Sequence, residues 1–312
     1  MKQAFRQYGS VAALLAVLTA LAVLATVLAG NVELVPCKCT DTSVLATTYP
    51  IYVAAQNILG DDVDITLTRL DGAASGCLHD YQMSPADRRA VEEAELILMN
   101  GAGAETFLHG IVDESKCVDT SAGVDLLCST HDHDHEGGEE HHHEEYNEHI
   151  WLGPSRYAKQ VLAVMDALIH LDKGNEATYR SNAENYLRHI DEILSEMTAL
   201  KESLNGRPCV LFHDSMAYLA ADLGLDVKLT LSVEGESGLS AADLKQVEQL
   251  VSEYPDLLLL YDTQYAQRYD GLRGTPLSLD TAVQGEGSPS DWVTAMKKNV
   301  REIQSIVGGD AL

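Results

Sequence analysis

The chain has 312 residues, 46% of them apolar, enough for a sizeable core and two domains, which excludes a mainly disordered protein. Its 48 acidic residues against 21 basic ones give a formal charge of -27 and exclude nucleic-acid binding, which needs a basic footprint to neutralise phosphates. The same charge suits a cationic ligand, and it equally serves plain solubility.

The first thirty residues place Lys2 and Arg6 ahead of an apolar run from Val11 to Gly30, the pattern of an export signal or a membrane anchor. The run is just long enough to span a bilayer, while Val27, Leu28 and Ala29 offer a cleavage point after Ala29, so both readings stand. No cysteine follows the run directly, as a lipoprotein signal requires; Cys37 and Cys39 come too late. Either way the protein is expected outside the cytoplasm, in a periplasm or on the outer face of the membrane. Cys37, Cys39, Cys77, Cys117, Cys128 and Cys209 permit a disulfide or two in the first half, with Cys209 read as a buried small hydrophobe.

From Ser43, SVLATTYPIYVAAQNILGDDVDITLTRL predicts a strand, a helix opened by Pro50 and closed at Gly60, and a second strand. Pro85 to Glu95 predicts a helix, ELILMN a short buried strand, and GAGAETFL the turn into another helix. Continuous apolar strands between helices imply a parallel sheet covered on both faces. Thr130 to Glu148 has no apolar periodicity and reads as a mobile surface loop. From Pro154 apolar residues recur at helical spacing, and after Asp172 to Asn175 a proline- and glycine-free stretch from about Glu176 to Leu204 predicts a rod roughly 40 Å long, suited to join two lobes. The alternation then restarts: PCVLFH, DVKLTLSV and DLLLLYD as strands, DSMAYLAADLG and SAADLKQVEQLVSEY as helices.

His79, His149 and His213 each stand at a strand end or just before a helix. In open α/β sheets ligands bind beyond the carboxyl ends of strands, and neutral imidazoles suit zinc. A single histidine in such a place is more often a cap or a core residue; three of them point to one shared metal site. Asp80 and Asp214, next in sequence to two of them, offer carboxylates to orient a ligating ring, and Asp214 serves equally well as a helix N-cap. Trp151 reads as core packing near the site.

The set HDY ahead of SPAD, NEHIWLGP ahead of a long helix, FHDSMAYL, and SVEGESGLSAADL resembles the solute-binding proteins of zinc and manganese ABC importers. The resemblance runs from about residue 43 onward. It implies an α/β fold of two similar lobes, each a mainly parallel sheet flanked by helices, joined by one long rigid helix with the metal at the lobe interface. The corresponding division is 1–30 signal or anchor, 31–42 linker, 43–174 first lobe (with a histidine- and acid-rich loop at 129–148), 175–204 connecting helix and 205–312 second lobe. It further implies His79 and His149 as ligands from the first lobe, His213 and Asp280 from the second, with Asp262 and Glu236 as reserve candidates for the fourth position. Histidine at the third position, where the manganese branch usually has glutamate, favours Zn2+, since manganese prefers oxygen donors; a manganese or dual-metal receptor is the closest alternative, and a metal-containing adhesin a more distant one.

The segment HDHDHEGGEEHHHEE, an insertion ahead of NEHIWLGP, places His131, His133, His135, His141, His142 and His143 among acids. Zinc-type members of the resembled family often carry such a loop. On a flexible segment these groups make weak, exchangeable metal sites, because ordering the loop consumes binding energy. An HExxH helix is absent and a closed four-ligand site leaves no position for catalytic water, so the protein is not expected to be an enzyme. It also has no phosphate-binding GxxxxGK[ST] loop to power transport, and the resemblance implies a monomer that serves a membrane permease with ATPase subunits. Binding through neutral imidazoles is expected to weaken as pH falls towards the histidine range.

Overall fold

The computed structural model describes residues 42–309 apart from 62, 71–80, 130–145, 234–237 and 270. The apolar N-terminal run, His79 and Asp80, Glu236 and the six loop histidines lie outside the described residues. Among those described, no helix is long and apolar enough to cross a membrane.

The first sheet takes β1 (Thr42–Ala46), β2 (Ile65–Arg69), β3 (Leu96–Met99) and β4 (Cys117–Asp119) in the order β2-β1-β3-β4. The second takes β5 (Pro208–Leu211), β6 (Asp226–Thr230), β7 (Leu258–Asp262) and β8 (Thr275–Leu279) in the order β6-β5-β7-β8. Every pairing in both is parallel, so the halves share one topology, and each reverses its strand order between its first and third strands. That reversal opens a crevice at the carboxyl end of each sheet, where ligands bind in open α/β folds.

Strand period sorts the apolar residues. Val44, Ala46, Leu96, Leu98, Cys209, Leu211, Leu258 and Leu260 enter one central core, while the alternate residues Leu45 and Ile97 feed an outer cluster on the first sheet, and Val210 and Leu259 one on the second. A run of four apolar residues is thus a strand buried on both faces, as the sequence predicts.

The central core is built around α4 (Glu176–Leu204), 29 residues and about 43 Å at 1.5 Å per residue. Its buried residues Tyr179, Ala183, Tyr186, Ile190, Ile193, Met197, Leu200 and Leu204 alternate steps of four and three, which holds one stripe inward. That stripe packs on α1 (Tyr49–Leu59) and α3 (Pro154–Leu171) of the first half and on α5 (Ala217–Leu223) and α7 (Asp291–Gly309) of the second. Capping boxes start α2 (Pro85–Glu93), from Ser84 and Asp87, and α6 (Ala241–Glu253), from Ser240 and Asp243.

Two features depart from the sequence expectation. GAGAETFL forms only a 3-10 turn at Thr106–Leu108, because Gly101, Ala102 and Gly103 all take positive φ and the Glu105 carboxylate accepts the N–H groups of Asn100 and Gly101, holding the chain in a tight loop. The edge strands β4 and β8 were hidden by shortness and half-exposure, and β8 carries Pro276, tolerated where only one side pairs. Cys117, Cys128 and Cys209 are free thiols, and Cys209 is fully buried.

Candidate metal centre

His149 and His213 come from opposite halves and meet. His149 precedes a 3-10 turn, Ile150–Leu152, that leads into α3; His213 follows β5 and precedes a 3-10 turn, Asp214–Met216, that leads into α5. Their ring centres lie 5.3 Å apart at 87°. Ligand atoms of His149, His213 and Asp214 all fall within 4.8 Å of one another, the one such cluster of metal-binding side chains among the described residues. His149 is 3% exposed and Asp214 likewise, so the centre is dry on its inner side.

Chemistry separates the two rings. The Asn147 Oδ1, which can only accept, lies 3.1 Å from His149 Nδ1, so in the neutral ring that nitrogen carries the proton and Nε2 the lone pair. His213 caps its own turn: Nδ1 accepts the Ser215 N–H at 3.0 Å, which places the ring proton on Nε2. Ligation by His213 through Nε2 therefore requires Nδ1 to carry the proton and give up the Ser215 N–H bond, and the Asp214 Oδ1, 3.3 Å away, is placed to accept a hydrogen bond from that Nδ1–H. The same oxygen is 3.7 Å from His149 Nδ1. Asp214 thus sits behind both rings, and the helix cap is His213, not Asp214. Ser129, at the foot of the histidine-rich segment, donates its hydroxyl to the other Asp214 oxygen.

Asp280 and Asp262 stand outside the 4.8 Å cluster, at the ends of β8 and β7, where they help line a pocket of about 280 Å³. Asp262 is engaged by Gln264 through its backbone and side chain and by the Thr281 hydroxyl. The Asp280 backbone is gripped on both sides by the buried Asn299 amide, and its carboxylate accepts the Ala282 N–H. Trp151 links this rim to His149: its ring lies 5.4 Å from the imidazole and its N–H donates to the Thr281 carbonyl. Trp151 is 4% exposed, as core packing near the site requires.

Behind His149 runs a buried polar chain. The Asn100 amide donates to the Glu148 carbonyl, and Glu105 accepts from Asn100, Gly101 and Thr47. Burial pushes the Glu105 carboxyl up to about 7 against these stabilising donors. An acid whose folded pKa is raised binds more protons folded than unfolded across that interval, so its contribution to stability falls as pH rises from about 4.5 to 7. The expected loss over that window is on the order of 3 kcal/mol. Urea melts at pH 5 and pH 8 check it: Glu105→Gln is expected to flatten the difference.

Comparison with known proteins agrees with this architecture. Residues 44–306 match the family described as zinc-uptake complex component A, periplasmic. The zinc-binding lipoprotein AdcA of Streptococcus pneumoniae is 23% identical over 278 residues, covering 84% of this chain and 55% of its own, so the chain spans about half the length of that relative. The high-affinity zinc uptake system protein ZnuA of Yersinia pestis is 25% identical over 251 residues, 74% of this chain and 78% of that one. Among solved structures, a crystal structure of ZnuA superposes with TM-score 0.68 at 22% identity, over 85% of this chain and 98% of that one. FpvC of Pseudomonas aeruginosa in complex with Mn2+ gives 0.69 at 19%, over 86% and 99%.

Proposed function

Because the chain belongs to the zinc-uptake complex component A family, a family of binding proteins rather than enzymes, we propose that it captures Zn2+ outside the cytoplasm and delivers it to an ABC importer. The observation that carries this is the approach of two imidazoles from opposite halves. At a zinc–nitrogen distance of about 2.1 Å, two rings on one tetrahedral ion have centres about 5.2 Å apart. The 5.3 Å between His149 and His213 suits that arrangement.

In this reading the ion takes Nε2 of His149 and His213, with His79 completing the nitrogen set and Asp280 supplying the oxygen; Asp262 and Glu236 remain the reserve donors. Residues 43–174 and 205–312 act as the two lobes, 175–204 as the spine between them. The six loop histidines act as a weak, exchangeable store; Ser129, next in sequence to that segment, donates to Asp214. The partner is a membrane permease with its ATPase subunits, and the receptor works as a monomer outside the cytoplasm, exported by residues 1–30 as a cleaved signal or held there by them as an anchor.

A titration against a chromophoric chelator tests this, with zinc added in the presence of excess manganese. One tight zinc equivalent that manganese does not displace is expected, with weaker equivalents that vanish when residues 130–145 are deleted. Equal tight binding of manganese would move the protein to a dual-metal role; no tight equivalent would end the proposal.

A further inference from the structure

Asn147 has all its hydrogen-bonding groups engaged while only 2% exposed, and its partners lie in both halves of the molecule. Its backbone N–H donates to the Leu127 carbonyl, and its own carbonyl accepts the Tyr218 hydroxyl of α5 at 2.7 Å. Its side-chain NH2 donates to the Asp214 carbonyl at 2.8 Å. Its side-chain oxygen accepts the His149 backbone N–H at 2.9 Å and faces His149 Nδ1 at 3.1 Å.

These partners fix the amide without ambiguity. Turning it over would set oxygen against the Asp214 carbonyl and NH2 against the His149 backbone N–H, trading two hydrogen bonds for two repulsions. The oxygen therefore faces the imidazole and holds the proton on Nδ1. A metal meets a lone pair on Nε2 only in that tautomer, and a partner that fixes the tautomer also fixes the ring's direction.

We infer that Asn147 is the positioning residue that sets His149 for metal: one amide selects the imidazole tautomer and ties it to the Asp214 turn from which the opposing His213 comes. This rests on the reading of His149 as a ligand. Affinity at the centre then depends on a residue that does not touch the ion. The two functions of the amide also separate chemically. Asn147→Asp keeps an acceptor for Nδ1–H and loses the donor to Asp214; Asn147→Ala loses both.

The test uses the full chain with nitrogen-15-labelled histidine, the His149 signals identified by their loss in His149→Gln. Long-range proton–nitrogen spectra before metal is added report the tautomer, and chelator competition reports zinc affinity. In the unaltered protein the His149 proton is expected on Nδ1. In Asn147→Ala the tautomer is expected to become mixed and zinc to bind roughly 10- to 100-fold more weakly, whereas Asn147→Asp keeps the tautomer and stays within about threefold of the parent. Both variants are expected to melt earlier, so melting alone cannot produce the split in affinity. A proton on Nε2 in the unaltered protein would overturn the inference. So would Asn147→Ala with tautomer and affinity unchanged, or Asn147→Asp failing as badly as Asn147→Ala. Absence of tight zinc in the unaltered protein would instead bring down the metal reading itself, and this inference with it, even with the proton on Nδ1.

Discussion

His213→Ala and His149→Ala are each expected to weaken zinc binding by two to three powers of ten. A tetrahedral protein zinc site is worth roughly 10–16 kcal/mol, so one ligand of four carries roughly 3 kcal/mol, and each 1.4 kcal/mol is tenfold in affinity. The two variants should differ in stability. His213 accepts the Ser215 N–H at the start of its turn, so its removal also costs about 1 kcal/mol of capping. His149 packs between Trp151 and His213, so its removal leaves a small void at the lobe junction. His189→Ala, on the exposed face of α4 beside Glu192, is the control and should alter neither property. Chelator competition on the three variants decides: parent-like affinity in either His213→Ala or His149→Ala would remove that residue from the metal centre.

Trp292→Ala is expected to destabilise the fold by about 3–5 kcal/mol, the cost of emptying a large aromatic site. Trp292 is 1% exposed, its ring lies 4.3 Å from that of Tyr157 on α3, and its N–H donates to the Trp151 carbonyl at 3.0 Å. It therefore joins α7 to the turn that follows His149. Trp292→Phe keeps most of the stacking and loses the hydrogen bond, so its expected cost is nearer 1–2 kcal/mol. Urea unfolding followed by circular dichroism measures both. Because one core runs through both halves, a single transition is expected in each variant. Two separated transitions would mean that α4 does not weld the halves into one folding unit.

What was legible in the sequence follows from which signals are local. Strands β1, β3, β5 and β7 announce themselves because burial on both faces forces apolar residues at successive positions, and α4 because nothing in 29 residues breaks it. The edge strands β4 and β8 lack that constraint: β4 is three residues long with none of them buried, and β8 buries only Leu277 and Leu279. The three histidines could be singled out by their place at strand ends or just before helices; His213 follows β5 and His149 precedes the turn into α3, while His79 lies outside the described residues. Asp214 and Asn147 could not be assigned their places. Whether Asp214 caps a helix or turns behind the imidazoles depends on His213 taking the cap first. Asn147 reads as one more polar loop residue until a carbonyl 67 residues away fixes its amide. The first outcome is settled by which of two neighbouring side chains reaches the Ser215 N–H, and the second by a group that folding brings from the other half.

The most direct measurement of the central claim is anomalous diffraction at the zinc edge from crystals grown with one equivalent of Zn2+. The account predicts a single strong peak about 2.0–2.1 Å from Nε2 of both His149 and His213, with Asn147 still holding His149 Nδ1. A peak on the far side of either ring, at Nδ1, or zinc bound away from these two histidines would contradict it.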